Sequence, residues 1–186
     1  MGAQEGMKKT VRIKDKLFRL LVPKKEIDQA VERVAREISL DYEGKEPLFL
    51  CILNGSFIFA ADLLRKITVP CTVSFVKCSS YSGTRSTQYV RNLIGLNEDL
   101  VNRDVIIVED IIDTGLTVSN LLKDIRKKDP ASLRIAAFSF KKEAFMADFK
   151  IDYLCMEVPD RFIVGYGLDY DGFGRNLGEI YQLATE

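Results

Sequence analysis

Apolar and polar residues alternate along this chain in blocks that predict helices and strands in turn. After Pro23, apolar residues recur every three or four positions over 24–40, which predicts an amphipathic helix with proline in its first turn. A continuous apolar run at 48–53 predicts a buried strand. The next segment, 56–67, has helical spacing, with Ser56 as the expected N-cap.

The second half of the chain continues this order. Its apolar segments predict five strands, at 71–77, 105–108, 134–140, 152–158 and 162–168. A helix is predicted over 117–128, whereas residues 78–92 contain few apolar side chains and predict a long loop. Because alternating strands and helices are typical of βαβ units, the predicted fold class is α/β, with a mainly parallel central sheet flanked by helices.

The composition fits one globular domain over residues 1–186. A chain of this length with 47% hydrophobic and 29% charged residues can bury a sizeable core, and about the first nine residues are expected to form a disordered tail. The formal net charge of zero argues against general binding to nucleic acid or acidic membranes. No apolar run approaches the ~20 residues that span a bilayer, and no signal peptide is recognised, so we expect a cytoplasmic protein.

Cysteine and histidine usage narrows the possible chemistry. The four cysteines form no Cys-x-x-Cys pair and are expected to be reduced thiols; they are Cys51, Cys71, Cys78 and Cys155. Histidine is absent, which excludes Ser-His and Cys-His nucleophiles and His-ligated zinc. Acid–base chemistry must therefore use Asp, Glu, Lys or Tyr.

A polar cluster directly follows the predicted strand 105–108. Glu109 and Asp110 come first, and the sequence Asp-Thr-Gly-Leu-Thr at 113–117 then opens the predicted helix. Ligands of an open parallel sheet bind beyond the carboxyl ends of its strands. A helix N-terminus offers free amides, glycine lets the backbone approach a ligand, and threonine hydroxyls add donors, so this loop predicts a phosphate site.

The two acids would repel a phosphate, so they are expected to hold hydroxyl groups or a metal ion. A sugar phosphate, with a phosphate at one end and a diol at the other, would satisfy both parts of the cluster. The alternative is structural: Glu109 and Asp110 end a strand, and residues 113–115 form a turn. The Walker pattern of P-loop kinases does not occur.

Five segments, in order along the chain, resemble the 6-oxopurine branch of the type I phosphoribosyltransferase family. They are LNGSFIFAADL at 53–63, SSYSGTRST at 79–87, EDIIDTG at 109–115, FSFK at 138–141 and VPDRFIVGYGLDYDGFGRNL at 158–177. The resemblance extends over roughly residues 10–183 and is specific as a set. It implies the type I phosphoribosyltransferase fold, with a small hood formed by the chain ends.

The resemblance also implies an activity. It is the magnesium-dependent transfer of 5-phosphoribosyl from phosphoribosyl pyrophosphate to hypoxanthine or guanine, giving IMP or GMP and pyrophosphate. Asp113 would be the catalytic residue and would manage the proton on purine N7, while Glu109 and Asp110 would hold the ribose hydroxyls. The implied partners are these two substrates and further copies of the chain, in a homodimer or homotetramer, with no nucleic acid and no membrane.

Further binding roles follow from the same resemblance. The 5′-phosphate would be held by a loop of five residues: Asp113, Thr114, Gly115, Leu116 and Thr117. Lys141 would donate to the purine 6-oxygen, Phe162 would stack on the base, and the Ile163 backbone would sense the 2-position. Asp169 would complete the purine end of the site.

The pyrophosphate end would be formed by Asn54 and Gly55, with a non-proline cis peptide between Leu53 and Asn54, and by Arg175. Asp169 would be a magnesium ligand, with Glu109 and Asp110 in a direct or indirect metal role. Ser80 and Tyr81 would belong to a flap that closes over the reacting centre.

Two positions depart from the commonest family pattern. Asn54 stands where a lysine is frequent, and Leu116 stands where a lysine or another polar residue is frequent, so each position lacks a side-chain contact that the family can make. The main enzymatic alternative is a xanthine-preferring relative; adenine and orotate enzymes lack the acid at Asp113. The alternative from another class is a regulator with the same fold that binds RNA or DNA.

Overall fold

The computed structural model describes residues 9–80, 90–94 and 98–184. The strands in these ranges are β1 Thr10–Ile13, β2 Lys16–Val22, β3 Leu48–Leu53, β4 Thr72–Ser80, β5 Val90–Ile94, β6 Asp104–Ile112, β7 Ser132–Phe140, β8 Tyr153–Glu157, β9 Ile163–Val164 and β10 Ile180–Leu183. The helices are α1 Lys24–Asp41, α2 Phe57–Leu64 and α3 Leu116–Arg126.

The central sheet has the strand order β5-β4-β3-β6-β7-β8. Five neighbouring strands, β4, β3, β6, β7 and β8, pair in parallel. Strand β5 pairs antiparallel with β4 at one edge. The predicted α/β class with a mainly parallel sheet is confirmed. All five parallel strands end at the same edge, so the loops that follow them lie side by side.

Both faces of this sheet are buried along its central strands β3, β6 and β7. On one face, Phe49 and Ile106 belong to the core that includes the apolar sides of α1 and α2. On the other face, Leu50 and Ile107 pack in the core that includes α3. The central strands are unbroken apolar runs in the sequence because their alternate residues are buried in the cores on opposite faces of the sheet.

Helix α1 has the predicted extent, except that Pro23 occupies its N-cap position. Helix α2 ends at Leu64, earlier than predicted. Ser56 stands at the N-cap of α2 as expected, but its hydroxyl makes no capping bond and instead donates to the Ile52 carbonyl oxygen at 2.5 Å. The predicted side-chain cap is therefore wrong: the buried hydroxyl is satisfied by the preceding strand.

Three predicted boundaries are also wrong. Strand β6 does not end at residue 108 but continues to Ile112, so Glu109 pairs within the sheet, opposite Ala137. The segment 78–92 is not entirely loop, because β4 extends to its third residue and β5 begins at Val90. Strand β9 has two residues rather than seven, because the chain turns at Gly165, which has φ of 100°.

A second sheet, with the order β1-β2-β10-β9, is built from the two ends of the chain and pairs antiparallel. Phe18, Val164 and Tyr181 are buried in its small core. This sheet is the predicted hood. Among the helices described here, none is long and apolar enough to cross a membrane.

Candidate active site

A cavity of about 400 Å³ lies beyond the carboxyl ends of β3 and β6 and reaches the loop that follows β9. Most of the sequence-predicted residues line it: Asn54, Gly55, Glu109, Asp110, Asp113, Thr117, Lys141, Phe162, Ile163, Asp169 and Arg175. The apolar part of the wall adds residues that sequence reasoning missed: Ile52, Leu53, Ile111 and Leu168. Thr114, Gly115 and Leu116 are not among the described lining residues, and Tyr81 and the Ser80 side chain lie outside the described part of the chain.

Two carboxyl groups form the floor of the cavity at the end of β6. Glu109 is 8% exposed, and its Oε2 is buried without a hydrogen-bond partner among the described residues. Burial and the neighbouring Asp110 raise the pKa of Glu109 well above its ordinary value. Burial also raises the pKa of Asp110 to about 6, against the opposing effects of the Ile111 amide and Arg175. The buried Glu109 carboxyl, which has an oxygen without a described partner, is suited to a ligand that supplies hydroxyl donors or positive charge.

These raised pKa values predict a pH-dependent cost to stability. The folded protein holds the Glu109 proton more tightly than the unfolded chain does, so the free energy of unfolding falls as pH rises from about the ordinary pKa of 4.5 through the raised folded value. Glu109→Gln removes this cost. We expect the variant to unfold a few degrees above the parent protein at pH 8, since about 1 kcal/mol shifts the midpoint by ~2–4 °C at this size.

Calorimetric melting at pH 4, 6 and 8 would measure the difference, which should shrink as pH falls. Glu143→Gln, at an exposed position, is the matched control and should show no pH-dependent gain. Identical melting of the Glu109 variant and the parent at pH 8 would contradict the expectation that ionised Glu109 destabilises the fold.

The loop after β6 leads directly into α3. Gly115 is the N-cap of α3 and has φ of 79°, and a Cβ placed there would lie 2.6 Å from the Phe145 ring. Glycine is therefore required by both backbone conformation and space. The Thr114 carbonyl accepts a hydrogen bond from Met146 N at 3.1 Å, which fixes the loop. Amides of the first helical turn lack intrahelical partners, so this end of α3 is suited to an anion.

Lys141 follows β7, the strand next to β6, and is only 8% exposed. Its backbone amide donates to the Ile112 carbonyl oxygen, and its Nζ lies 3.1 Å from Asp113 Oδ2. A second carboxylate, Asp160, lies 3.4 Å from the same Nζ. Sequence reasoning did not single out Asp160, because an acid in a turn after Pro159 carries no pattern of its own.

The loop after β3 contains the expected cis peptide between Leu53 and Asn54. Gly55 contacts its surroundings closely, since a Cβ there would lie 1.4 Å from Asp110 Oδ2. Gly167 approaches the same loop from the other side, and a Cβ there would lie 2.0 Å from the Gly55 carbonyl oxygen. The backbone at 54–55 is therefore held between the strand β6 acid and the hood loop.

Two further predicted residues bind each other at the rim. Arg175 Nη2 lies 2.6 Å from Asp169 Oδ1, and Arg175 Nη1 donates to the Gly167 carbonyl oxygen at 2.7 Å. The other Asp169 oxygen accepts a hydrogen bond from Gly172 N at 2.6 Å. Both side chains are thus fixed in place beside the cavity.

The cavity wall includes one aromatic ring, that of Phe162. Phe162 is 46% exposed, and its ring packs edge-on against Tyr170, with a centroid distance of 5.9 Å. Phe18 supports it from the hood at 6.3 Å. The next residue, Ile163, is fixed by β9, where it pairs with Gln182 of β10. A planar apolar group can therefore stack on a ring that the hood holds in place.

The fold and the cavity define an α/β enzyme that places its site where a parallel sheet ends. The phosphoribosyl transferase domain family matches residues 21–171. Hypoxanthine-guanine phosphoribosyltransferase of Aquifex aeolicus is 38% identical over 92% of this chain and 97% of its own length. Hypoxanthine-guanine-xanthine phosphoribosyltransferase of Tritrichomonas foetus is 38% identical over 88% of this chain and 90% of its own.

A solved structure supports the same family. The crystal structure of a hypoxanthine-guanine phosphoribosyltransferase from Bacillus anthracis superposes with a TM-score of 0.80, at 34% identity, over 89% of this chain and 96% of that one. The chain therefore belongs to the phosphoribosyltransferase family, in its hypoxanthine-guanine branch.

Proposed function

We propose that this enzyme transfers 5-phosphoribosyl from phosphoribosyl pyrophosphate to hypoxanthine or guanine, forming IMP or GMP and pyrophosphate in purine salvage. The observation that carries the proposal is that one cavity joins the Lys141–Asp113 pair to the buried Glu109 and the partly buried Asp110. A nucleoside monophosphate has a base, a diol and a phosphate, and each finds a complementary group along this cavity.

The ribose diol is proposed to bind Glu109 and Asp110. The unpartnered Oε2 of Glu109 supports this role, because a buried acceptor gains most from a hydroxyl donor. The 5′-phosphate is proposed to lie at the start of α3, against the amides of Thr114 to Thr117. The α3 amides are hydrogen-bond donors and so suit a phosphate, whereas the carboxyl groups near the end of β6 suit a diol.

The purine is proposed to bind between Phe162 and the sheet. Lys141 can donate to a 6-oxygen but cannot accept a hydrogen from a 6-amino group, so it favours 6-oxopurines. The Ile163 backbone is proposed to sense the 2-position, because Ile163 lines the same cavity. Asp113 pairs with Lys141 and is proposed to accept the N7 proton as N9 attacks the anomeric carbon.

The pyrophosphate is proposed to contact the amides of Asn54 and Gly55 and the Arg175 guanidinium. Asn54 lacks the charge of a lysine, so the backbone would bind most of this group. The close contacts around Gly55 support the assignment, because they hold the two amides in one orientation.

Phosphoribosyltransferases generally use Mg²⁺ with the donor, and the acids here fit such an ion in part. No group of three metal-ligating side chains occurs within the described residues. Magnesium often binds through one or two carboxylates together with substrate phosphates, so such a group is not required. Glu109 has a free buried oxygen, whereas both Asp169 oxygens are engaged by Arg175 and Gly172. Bound magnesium would neutralise charge on the leaving pyrophosphate.

Metal removal and Asp169→Asn should both lower activity strongly. We expect exhaustive chelation to abolish turnover and added Mg²⁺ to restore it, because the leaving group carries several negative charges. Asp169→Asn should raise the magnesium concentration needed for half-maximal rate. Asp171→Asn, an exposed acid two residues away, is the control. Full turnover after chelation would disprove the metal role.

A purine panel tests the proposal directly. Purified protein, phosphoribosyl pyrophosphate and Mg²⁺ would be assayed spectrophotometrically with hypoxanthine, guanine, xanthine and adenine. We expect turnover with the first two and little with adenine. A preference for xanthine would select the alternative enzyme, and no turnover with any base would refute the proposal.

We also propose a cytoplasmic homodimer or homotetramer. Cys51, Cys71 and Cys155 are free thiols, which suits a reducing compartment. Val73 and Phe75 lie on one face of β4 and are 42% and 46% exposed. Large apolar side chains on an open sheet face support association between copies.

A further inference from the structure

The Lys141 ammonium contacts two carboxylates, those of Asp113 and Asp160. Lys141 directly follows β7, whose neighbours in the sheet are β6 and β8. Asp113 directly follows β6, and Asp160 lies in the loop after β8. The Nζ atom lies 3.1 Å from Asp113 Oδ2 and 3.4 Å from Asp160 Oδ1. The side chain of Lys141 is 10% exposed, so the ammonium needs a counter-charge at all times.

The two carboxylates cannot play the same part when a ligand binds. Asp113 and Lys141 line the cavity, whereas Asp160 is not among its described lining residues. A base entering the cavity therefore competes for Asp113 but leaves the Asp160 contact in place. The proposed reaction goes further, because Asp113 becomes neutral when it accepts the N7 proton.

At that moment the Lys141–Asp113 ion pair is lost. If Asp113 were its sole counter-ion, a nearly buried ammonium would face only a neutral carbonyl oxygen, and an unpaired buried charge is costly. Asp160 reduces this cost because its carboxylate contacts the same ammonium and is not among the described residues that line the cavity. The ammonium has three hydrogens, so one directed to Asp160 leaves others for the purine.

We propose that Asp160 is a positioning residue that holds the Lys141 ammonium towards the purine 6-oxygen while Asp113 turns to N7. This role rests on the proposed recognition of 6-oxopurines by Lys141. The two carboxylates then have separate roles, since Asp113 reacts and Asp160 orients. Asp160 thereby contributes to the choice of a 6-oxo over a 6-amino purine without touching the base.

The test compares three variants by steady-state kinetics. Asp160→Asn keeps shape but removes the charge, Asp160→Glu keeps the charge, and Glu143→Gln removes a charge at an exposed position near Lys141. For Asp160→Asn we expect KM for hypoxanthine to rise about tenfold, as is usual when a charged hydrogen bond is lost. KM for phosphoribosyl pyrophosphate should stay within about twofold, because the donor groups are untouched.

Asp160→Glu should restore most of the hypoxanthine affinity, and Glu143→Gln should match the parent. The ratio of kcat/KM for hypoxanthine to that for adenine should fall in Asp160→Asn alone. An unchanged hypoxanthine KM, or equal losses for base and donor, would overturn the positioning role. A parent enzyme that fails to use 6-oxopurines at all would instead refute the proposed function, and this inference with it.

Discussion

Asp113→Asn is expected to lower turnover on hypoxanthine and guanine by on the order of 10²–10⁴, the range for a lost general base. Asparagine keeps the size of aspartate and one acceptor oxygen, but it cannot take the N7 proton. Histidine is absent from the chain, and the Asp113 carboxylate lies against Lys141 in the cavity, so no other described acid is as well placed. Donor affinity should change little, because the acids proposed to hold ribose are Glu109 and Asp110.

Single-turnover measurements would separate chemistry from product release. Asp124→Asn makes the same chemical change on the exposed side of α3 and should match the parent. Parental turnover in Asp113→Asn, with chemistry shown to limit the rate, would reduce Asp113 to a counter-ion of Lys141.

Gly55→Ala is expected to weaken binding of phosphoribosyl pyrophosphate strongly. The added Cβ would fall 1.4 Å from Asp110 Oδ2, so either the Asp110 carboxylate or the loop at 54–55 must move. Overpacking typically costs about 1–3 kcal/mol of stability. If the variant relieves this cost by moving the loop, and the donor must restore the present conformation, donor KM would rise roughly 5- to 150-fold. Base binding should suffer less, because Lys141 and Phe162 lie on other elements.

Gly178→Ala is the matched control, since a Cβ there meets only Lys24 Cδ at 3.7 Å, an ordinary contact. Isothermal titration with phosphoribosyl pyrophosphate would give the donor affinity of both variants, and circular dichroism would confirm their folding. Parental donor affinity in Gly55→Ala would show that neither the loop nor Asp110 contributes to donor binding.

The sequence was sufficient for the α/β class, because buried central strands and amphipathic helices have different periods. It placed β3 correctly but ended β6 four residues early, at the first charged side chain. Glu109 and Asp110 remain in the strand because backbone pairing with β7 continues beneath them. A polar side chain signals a change of environment, whereas a strand ends only when its backbone pairing does.

The candidate site was predicted mainly through the motifs that resemble the family. The pattern of residues alone led to a phosphate loop and two acids, both of which lie at one sheet edge. It could not lead to Asp160, whose partner Lys141 is distant in the chain and is brought near only by the order β6-β7-β8. Nor could it indicate that Asp169 and Arg175 bind each other, because the contact depends on the tight turn between them, where Tyr170 pairs with Phe173.

The hood has a consequence for how this enzyme can diverge. Ile163 belongs to the hood sheet, and the preceding residue, Phe162, accepts a hydrogen bond from Leu183 N of β10. Glu109 and Asp110 belong instead to the central sheet. If Phe162 and Ile163 contact the base as proposed, substitutions in β1, β2 or β10 should change base preference more than donor affinity. A change in β10 can reach Ile163 directly, because Gln182 of β10 pairs with Ile163 of β9.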